Sequence, residues 1–307
     1  TQAHHIPEVR AITLSTGFMA NMAMITGLIN GLSESDGITI FSEELNHASL
    51  IDSIRLASQQ KKVDLKIYGH QNLNELEELL SSDKNRQKII VTDAVFSMDG
   101  DIANLIKLNQ LADQHDALLV VDDAHGFGVL GQHGYGSLEY FNLAPNSRII
   151  YMGTLGKAAG ISGAFIAAHH DIAQWILQTG RAYIYTTASP PMIAHGLLKS
   201  LELIKSGDVR RQLFNNIAYF KKNLSLKHWK LLDSKTAIQP IVIGDNQKAL
   251  SVAQQLFDQG IWVPAIRPPT VPKGTARLRI TLSATHQPDQ IDRLVLALHS
   301  AEKALGT

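Results

Sequence analysis

Ala117-Leu118-Leu119-Val120-Val121-Asp122-Asp123-Ala124-His125-Gly126 opens with five apolar residues in a row and closes on two acids and a histidine. An alternating pattern would mark a strand with one wet face. An unbroken apolar run marks a strand covered on both faces, as in a parallel sheet between two layers of helices. The flanking sequence agrees. Strand-like segments at 9–14, 38–41, 65–68 and 88–92 precede the run, separated by helical periodicity at 17–32, 47–58, 73–80 and 105–112. Such alternation predicts an α/β fold with a mainly parallel sheet sandwiched by helices. After 150 and 164–168 the texture changes. Two long helical patterns, 191–205 and 209–224, lead to short strands at 239–243, 261–264 and 277–281, with helices at 248–258 and from 287 onward. The expectation is a large domain over residues 1–205 and a smaller C-terminal α+β domain over 206–307.

A carboxylate at the carboxyl end of a buried strand is costly without a cationic partner, so the acids after Val121 need an explanation. About thirty residues downstream the chain reads Gly153-Thr154-Leu155-Gly156-Lys157-Ala158-Ala159-Gly160, directly after the apolar segment Arg148-Ile149-Ile150-Tyr151-Met152. The strand brings Lys157 to the rim of the sheet, where ligands collect in α/β folds, and the glycines allow a close approach to backbone. A partly buried amine there becomes a nucleophile toward carbonyls, including the aldehyde of pyridoxal phosphate. A protonated pyridine nitrogen is also a suitable partner for Asp122. Both motifs thus point to one cofactor.

Two competing chemistries are weaker. Metal ligation by Asp122, Asp123 and His125 would need further ligands, and the chain has no HExxH and no cysteine, so no metal is expected. A nucleotide phosphate loop needs four residues between its glycine and the Gly-Lys pair, followed by Ser or Thr. Here two residues intervene and Ala158 follows.

Composition bounds the rest. With 307 residues, 45% hydrophobic and 18% charged, the chain can bury a large core. The 28 basic residues balance the 28 acidic ones, which argues against a nucleic-acid or anionic-membrane partner. The absence of cysteine removes disulfides and thiolate catalysis together. No apolar stretch reaches the ~18 residues of a membrane span and no charged-then-apolar leader opens the chain, so a cytoplasmic protein is expected.

Five segments are similar, in order and spacing, to the α-oxoamine synthases, which are fold type I pyridoxal phosphate enzymes: Ser15-Thr16-Gly17-Phe18, Asn46-His47-Ala48-Ser49, Phe96-Ser97-Met98-Asp99-Gly100-Asp101, the 121–126 segment and Gly153 to Ala158. The resemblance covers essentially the whole chain. Tyr183-Ile184-Tyr185-Thr186-Thr187 and the stretch 266–281, with Arg267-Pro268-Pro269-Thr270, look most like the branch that joins L-alanine to a pimeloyl thioester on the route to biotin.

The resemblance implies roles for particular residues. Lys157 would hold the cofactor, Asp122 would face the pyridine nitrogen, His47 would stack on the ring and contact substrate, and Ser97 and His125 would hydrogen-bond near its phenolic oxygen. Gly17 and Phe18 stand where a strand gives way to a helix, whose free N–H groups suit a phosphate dianion, and the resemblance puts the cofactor phosphate there. Thr154 would add a hydroxyl to it. Thr186 or Thr187 would reach a phosphate in the neighbouring subunit of a homodimer. Arg279 is a fixed fork between Leu278 and Ile280 and suits an amino-acid carboxylate; Arg277 better fits an arginine pointing outward from an edge strand. Thr270 is a further substrate candidate. Asp93 stands where some relatives carry Glu, and is left without a role.

The implied reaction condenses L-alanine with pimeloyl-CoA or its carrier-protein equivalent, with loss of carbon dioxide and release of thiol. A sister reaction using glycine and an acetyl donor would share every cofactor residue. A catalytically silent regulatory paralogue would be expected to lack the lysine, acid or histidine, all of which are present. The resemblance also implies a segment ahead of Thr1 that helps enclose substrate and supplies an arginine to it.

Overall fold

The computed structural model describes residues 8–305, with the side chain of Glu34 outside the description. Residues 1–7 and 306–307, which the sequence reading assigns to the two ends of its domains, lie outside the described residues. The described residues form two compact units: residues 8–96 with Ala103–Ser206, and Ser97–Ile102 with residues 207–305.

The first unit is built on a seven-stranded sheet. Its strands are β1 (Val9–Leu14), β2 (Ile38–Glu43), β3 (Asp64–Tyr68), β4 (Gln87–Asp93), β5 (Ala117–Asp122), β6 (Ile149–Thr154) and β7 (Ala164–His169), in the spatial order β1-β7-β6-β5-β4-β2-β3. Strands β3, β2, β4, β5 and β6 run parallel, and β7 runs antiparallel to both β6 and β1. Side chains alternate across each strand, so the apolar runs feed two cores. Ile40, Ile89, Val91, Val120 and Ile150 share one cluster with residues of α1 (Gly17–Gly31) and α2 (Ala48–Gln60). Phe41, Ile90, Leu119, Val121 and Ile149 share the other with residues of α3 (Leu73–Ser82) and α4 (Leu105–Gln114). The mainly parallel sheet sandwiched by helices follows from this two-sided burial.

The first unit also contains helices α5 (Ser137–Tyr140), α6 (His170–Thr179), α7 (Arg181–Ile184) and α8 (Pro191–Ser206). The sequence pattern does not single out α5, α6 or α7, the first and last being only one turn long. No helix among the described residues is long and apolar enough to cross a membrane.

In the second unit, β8 (Lys230–Leu231), β9 (Ile238–Gly244), β10 (Ala265–Ile266) and β11 (Ala276–Thr281) form an antiparallel sheet in the order β10-β11-β9-β8. Helices α9 (Asp208–Asn223), α10 (Asn246–Asp258) and α11 (Pro288–Leu305) belong to the same unit. The strand expected at 261–264 is irregular, and the pairing segment is Ala265–Ile266, opposite Leu278 and Arg277. Pro264 has no N–H to donate to a ladder; its carbonyl instead accepts from the Arg279 amide at 3.0 Å.

Arg277 corrects a second expectation. Strand β11 lies between β9 and β10 rather than at an edge, and Arg277 is 5% exposed, paired through its guanidinium with Asp99. That pair helps bind Ser97–Ile102 into the second unit. Gly100 completes the clamp: its carbonyl accepts from Ser234 Oγ at 2.8 Å and Thr236 Oγ1 at 3.2 Å. With φ at 70° and a Cβ that would lie 2.5 Å from Ser234 Oγ, the position admits glycine.

Candidate active site

Four parallel strands end in polar residues: β2 in Glu43, β4 in Asp93, β5 in Asp122 and β6 in Thr154. The carboxyl ends of such strands form the crevice in which ligands of open α/β sheets bind. Here the ends of β4, β5 and β6 border a cavity of about 200 Å³ whose walls include Gly17, Asn21, His47, Asp93, Asp122, His125 and Lys157.

Local hydrogen bonds explain how each side chain reaches it. Lys157 sits in the turn after β6, closed by Leu155 N to the Gly163 carbonyl and Gly160 N to the Lys157 carbonyl. Its Nζ lies 2.9 Å from His125 Nε2, in the turn that follows β5. The two turns are tied where Thr154 Oγ1 donates to the Ala124 carbonyl at 3.1 Å. His47 caps α2, and the turn ahead of it is stapled to β4 by Asn46, whose amide donates to the Val91 carbonyl and whose Oδ1 accepts from Asp93 N. Gly17 is the first residue of α1, after the N-cap Thr16, which accepts from Met19 N. A Cβ at Gly17 would lie 2.6 Å from Thr154 Cγ2, so the helix start and the end of β6 approach as closely as a glycine allows.

The acids dominate the electrostatics. Asp122 is buried, which raises its pKa; Asn21 Nδ2 donating to Oδ2 at 2.7 Å, the Ala124 amide donating to Oδ1 at 2.9 Å and the Lys157 charge oppose that rise. Asp93 stands at the matching register of the adjacent strand. Burial and then the Asp122 charge push its pKa well above the ordinary carboxylate value, against the pull of the His47 amide. Two facing acids in a dry site hold a proton more firmly than either would in water. Behind them Asp123 accepts from Ser137 N at 2.6 Å and from the Tyr151 hydroxyl at 2.7 Å, and burial pushes its carboxyl up to about 7.

Of the residues singled out in the sequence, Gly17, Phe18, His47, Asp122, His125, Thr154 and Lys157 line this one cavity. Thr186 and Thr187 do not; they are exposed, between α7 and α8. Ser97, Thr270 and Arg279 belong to the second unit. There the Arg279 guanidinium donates to the Ser97 carbonyl and borders a cavity of about 580 Å³ with Trp262, His286 and Arg293, while Thr270 is exposed. Asp93, left without a role in the sequence, and Asn21 and Ser49, given none there, also line the first cavity. Asn21 is the one with a signal, an amide within the apolar run of α1. Among the described residues no group of three or more histidines and acids is arranged to hold a metal ion.

Residues 2–298 match the family described as aminotransferase class I and II. An 8-amino-7-oxononanoate synthase from Janthinobacterium sp. (strain Marseille) is 52% identical over 305 residues, which cover 98% of this chain and 75% of the relative. The chain belongs to the 8-amino-7-oxononanoate synthase family. A crystal structure of the Francisella tularensis 8-amino-7-oxononanoate synthase superposes with a TM-score of 0.80 at 34% identity, over 98% of this chain and 84% of that one. A serine palmitoyltransferase from S. paucimobilis with a bound PLP–myriocin adduct superposes with a TM-score of 0.87 at 29% identity, over 97% and 73% of the two chains. The family makes this chain a pyridoxal-phosphate-dependent acyltransferase.

The residues present fit that cofactor. An 8-amino-7-oxononanoate synthase needs an amine for the aldehyde, an anion for the ring nitrogen and N–H donors for the phosphate. Lys157 offers the first and the buried Asp122 the second. Asn21 Oδ1, buried and without a donor in the structure, adds another acceptor beside Asp122. The start of α1 at Gly17 and Phe18 offers the backbone amides that a helix leaves without internal partners.

Proposed function

We propose that the chain condenses L-alanine with pimeloyl-CoA, or with pimeloyl carried on an acyl carrier protein, to give 8-amino-7-oxononanoate, carbon dioxide and free thiol in biotin biosynthesis. The observation that carries this reading is the convergence of the Lys157 amine, the His125 imidazole and the buried Asp122 carboxylate on one cavity, in a chain of this family. Pyridoxal phosphate, when bound, supplies an aldehyde that captures the amino acid and a ring that takes up the electrons left at its α-carbon.

The chain's own residues would do the rest. Lys157 would hold the cofactor through Nζ and, once displaced by the amino acid, move the α-proton. Asp122, kept in place by Asn21 and the Ala124 amide, would hold a proton on the ring nitrogen; a cation there offsets the cost of burying the carboxylate. His47 would lie over the ring and orient substrate, while Ser97 and His125 would hydrogen-bond at the ring oxygen. Gly17, Phe18 and Thr154 would bind the phosphate, and Arg279 and Thr270 the substrate, with the guanidinium fork taking a carboxylate.

We read the functional form as a cytoplasmic homodimer in which Thr186 and Thr187 reach the partner's cofactor phosphate. The surface around them supports that reading. Helix α8 has no buried residue, and Tyr185, Met192, Leu198 and Leu203 are 72%, 76%, 64% and 51% exposed. Apolar exposure on that scale marks an interaction surface.

The test is thiol release from pimeloyl-CoA with L-alanine or glycine, in the cofactor-loaded protein and in Lys157→Ala. Release that depends on L-alanine and disappears in the variant, together with its visible cofactor absorbance, is the expected result. Release with glycine in preference to L-alanine, or a variant as active as the parent, overturns the proposal.

A further inference from the structure

His47 reaches the cavity as the N-cap of α2, and a cap dictates which ring nitrogen carries the proton. Its Nδ1 accepts the Ser49 backbone N–H at 3.2 Å. A ring nitrogen that accepts an N–H has its lone pair free and bears no proton. The Ser49 hydroxyl, 2.7 Å from the same nitrogen, therefore donates to it. That leaves the oxygen's lone pairs to accept from Asn21 Nδ2, at 2.8 Å. The second Asn21 Nδ2 hydrogen goes to Asp122 Oδ2 at 2.7 Å. An amide nitrogen only donates, so both links run outward from Asn21 and the direction of every link follows.

We propose that Asn21 and Ser49 are positioning residues that hold His47 as the neutral tautomer protonated on Nε2 and link its ring to the carboxylate of Asp122. The claim rests on the reading of His47 and Asp122 as cofactor-contacting residues, since it concerns how they are aligned. All members of the chain of hydrogen bonds lie in the first unit, and Asn21 and Ser49 are 0% and 1% exposed. Capping alone does not explain such burial. His169 caps α6 in the same manner, accepting from Asp171 N at 3.4 Å, but its further neighbour is the exposed carboxylate of Asp171. Of these two caps, His47 is the one with a buried hydroxyl and a buried amide behind it. With Nδ1 engaged twice, Nε2 is the atom through which His47 can donate a hydrogen bond.

The test reads the tautomer directly, on the full chain without cofactor, so it is separate from thiol release. Histidine labelled with ¹⁵N is followed by long-range ¹H–¹⁵N correlation at a pH where the ring is neutral, and the His47 signal is identified by its loss in His47→Gln. The parent is expected to give an Nε2–H signal alone. Ser49→Ala keeps the backbone cap but removes the hydroxyl, and should lower the ratio of Nε2–H to Nδ1–H about tenfold, the effect of one lost hydrogen bond. Asn21→Leu, similar in shape and without polar atoms, frees Ser49 to accept from the ring and should lower the ratio in the same direction. An Nδ1–H signal in the parent overturns the proposal, as does an unchanged ratio in either variant. If Asn21→Leu does not fold, Asn21→Ser asks the same question, because the shorter side chain cannot span Ser49 and Asp122.

Discussion

Replacing Asp123 with Asn should flatten the pH dependence of stability, by an amount that follows from where the carboxyl sits. Asp123 is 0% exposed; its Oδ2 takes two donors and its Oδ1 none in the structure. Burial, the largest cause, lifts it from 3.8 to about 7, against the hydrogen bonds from Ser137 and Tyr151. Between those two values the folded chain keeps a proton that the unfolded chain has released, so the contribution of this group is most favourable at acid pH and falls as the pH rises. The loss starts near the unfolded value, proceeds through the folded one and is complete above it. At ~1.36 kcal/mol per pH unit the whole span amounts to about 4 kcal/mol, of which roughly 2.5 kcal/mol falls between pH 5 and pH 8. The carboxamide of the Asp123→Asn variant has no proton to lose there. Urea unfolding of both proteins without cofactor, followed by tryptophan fluorescence across that range, isolates this group, because the other titrating groups are common to both. The parent should lose about 2.5 kcal/mol relative to Asp123→Asn between the two ends of the range. Parallel curves, or a parent that gains on the variant toward alkaline pH, would show that Asp123 is ionised in the folded chain at pH 5 and refute the reasoning.

Gly17→Ala places a methyl 2.6 Å from Thr154 Cγ2; overpacking of that kind costs about 1–3 kcal/mol, and cofactor titration should report weaker binding while the circular dichroism spectrum stays the same. Arg277→Ala leaves the Asp99 carboxylate without its guanidinium, and unfolding should report a loss of about 3 kcal/mol, the lower end for a broken buried pair because Asp99 is 20% exposed. The paired change Arg277→Met with Asp99→Leu should recover most of that loss. Arg279→Gln should raise the KM for L-alanine at least tenfold, roughly the worth of a charge-assisted hydrogen bond, and an unchanged KM would remove Arg279 from the substrate site.

Much of this protein was legible as sequence. The run 117–121 fixed a strand buried on both faces, and the alternation around it fixed a parallel sheet between helices, because periodicity and side-chain direction are local properties of the backbone. Asp122 stood out because a carboxylate at the end of a buried strand is costly without a cationic partner, and Lys157 and His125 because they follow apolar strands at the rim where ligands collect, Lys157 among glycines that allow close approach. Where local pattern misled, a neighbour distant in sequence was responsible in one case and a missing donor in the other. Arg277 reads as outward-facing until Asp99, 178 residues earlier, meets it in the interior, and the strand expected at 261–264 gives way where Pro264 has no amide to donate.

The sequence by itself thus determined the layering of the large unit and the chemical kinds of side chain at its rim. Tertiary structure decided which of them meet. Asp93 acquires a raised pKa because folding buries it and because β4 and β5 pair in register and bring it beside Asp122. Asn21 becomes a link between Ser49 and Asp122, 28 and 101 residues away, only because α1 packs against α2 and the end of β5. Hydrogen-bond directions and carboxyl proton affinities depend on distances of a few ångströms and on burial, quantities that exist once the chain has folded.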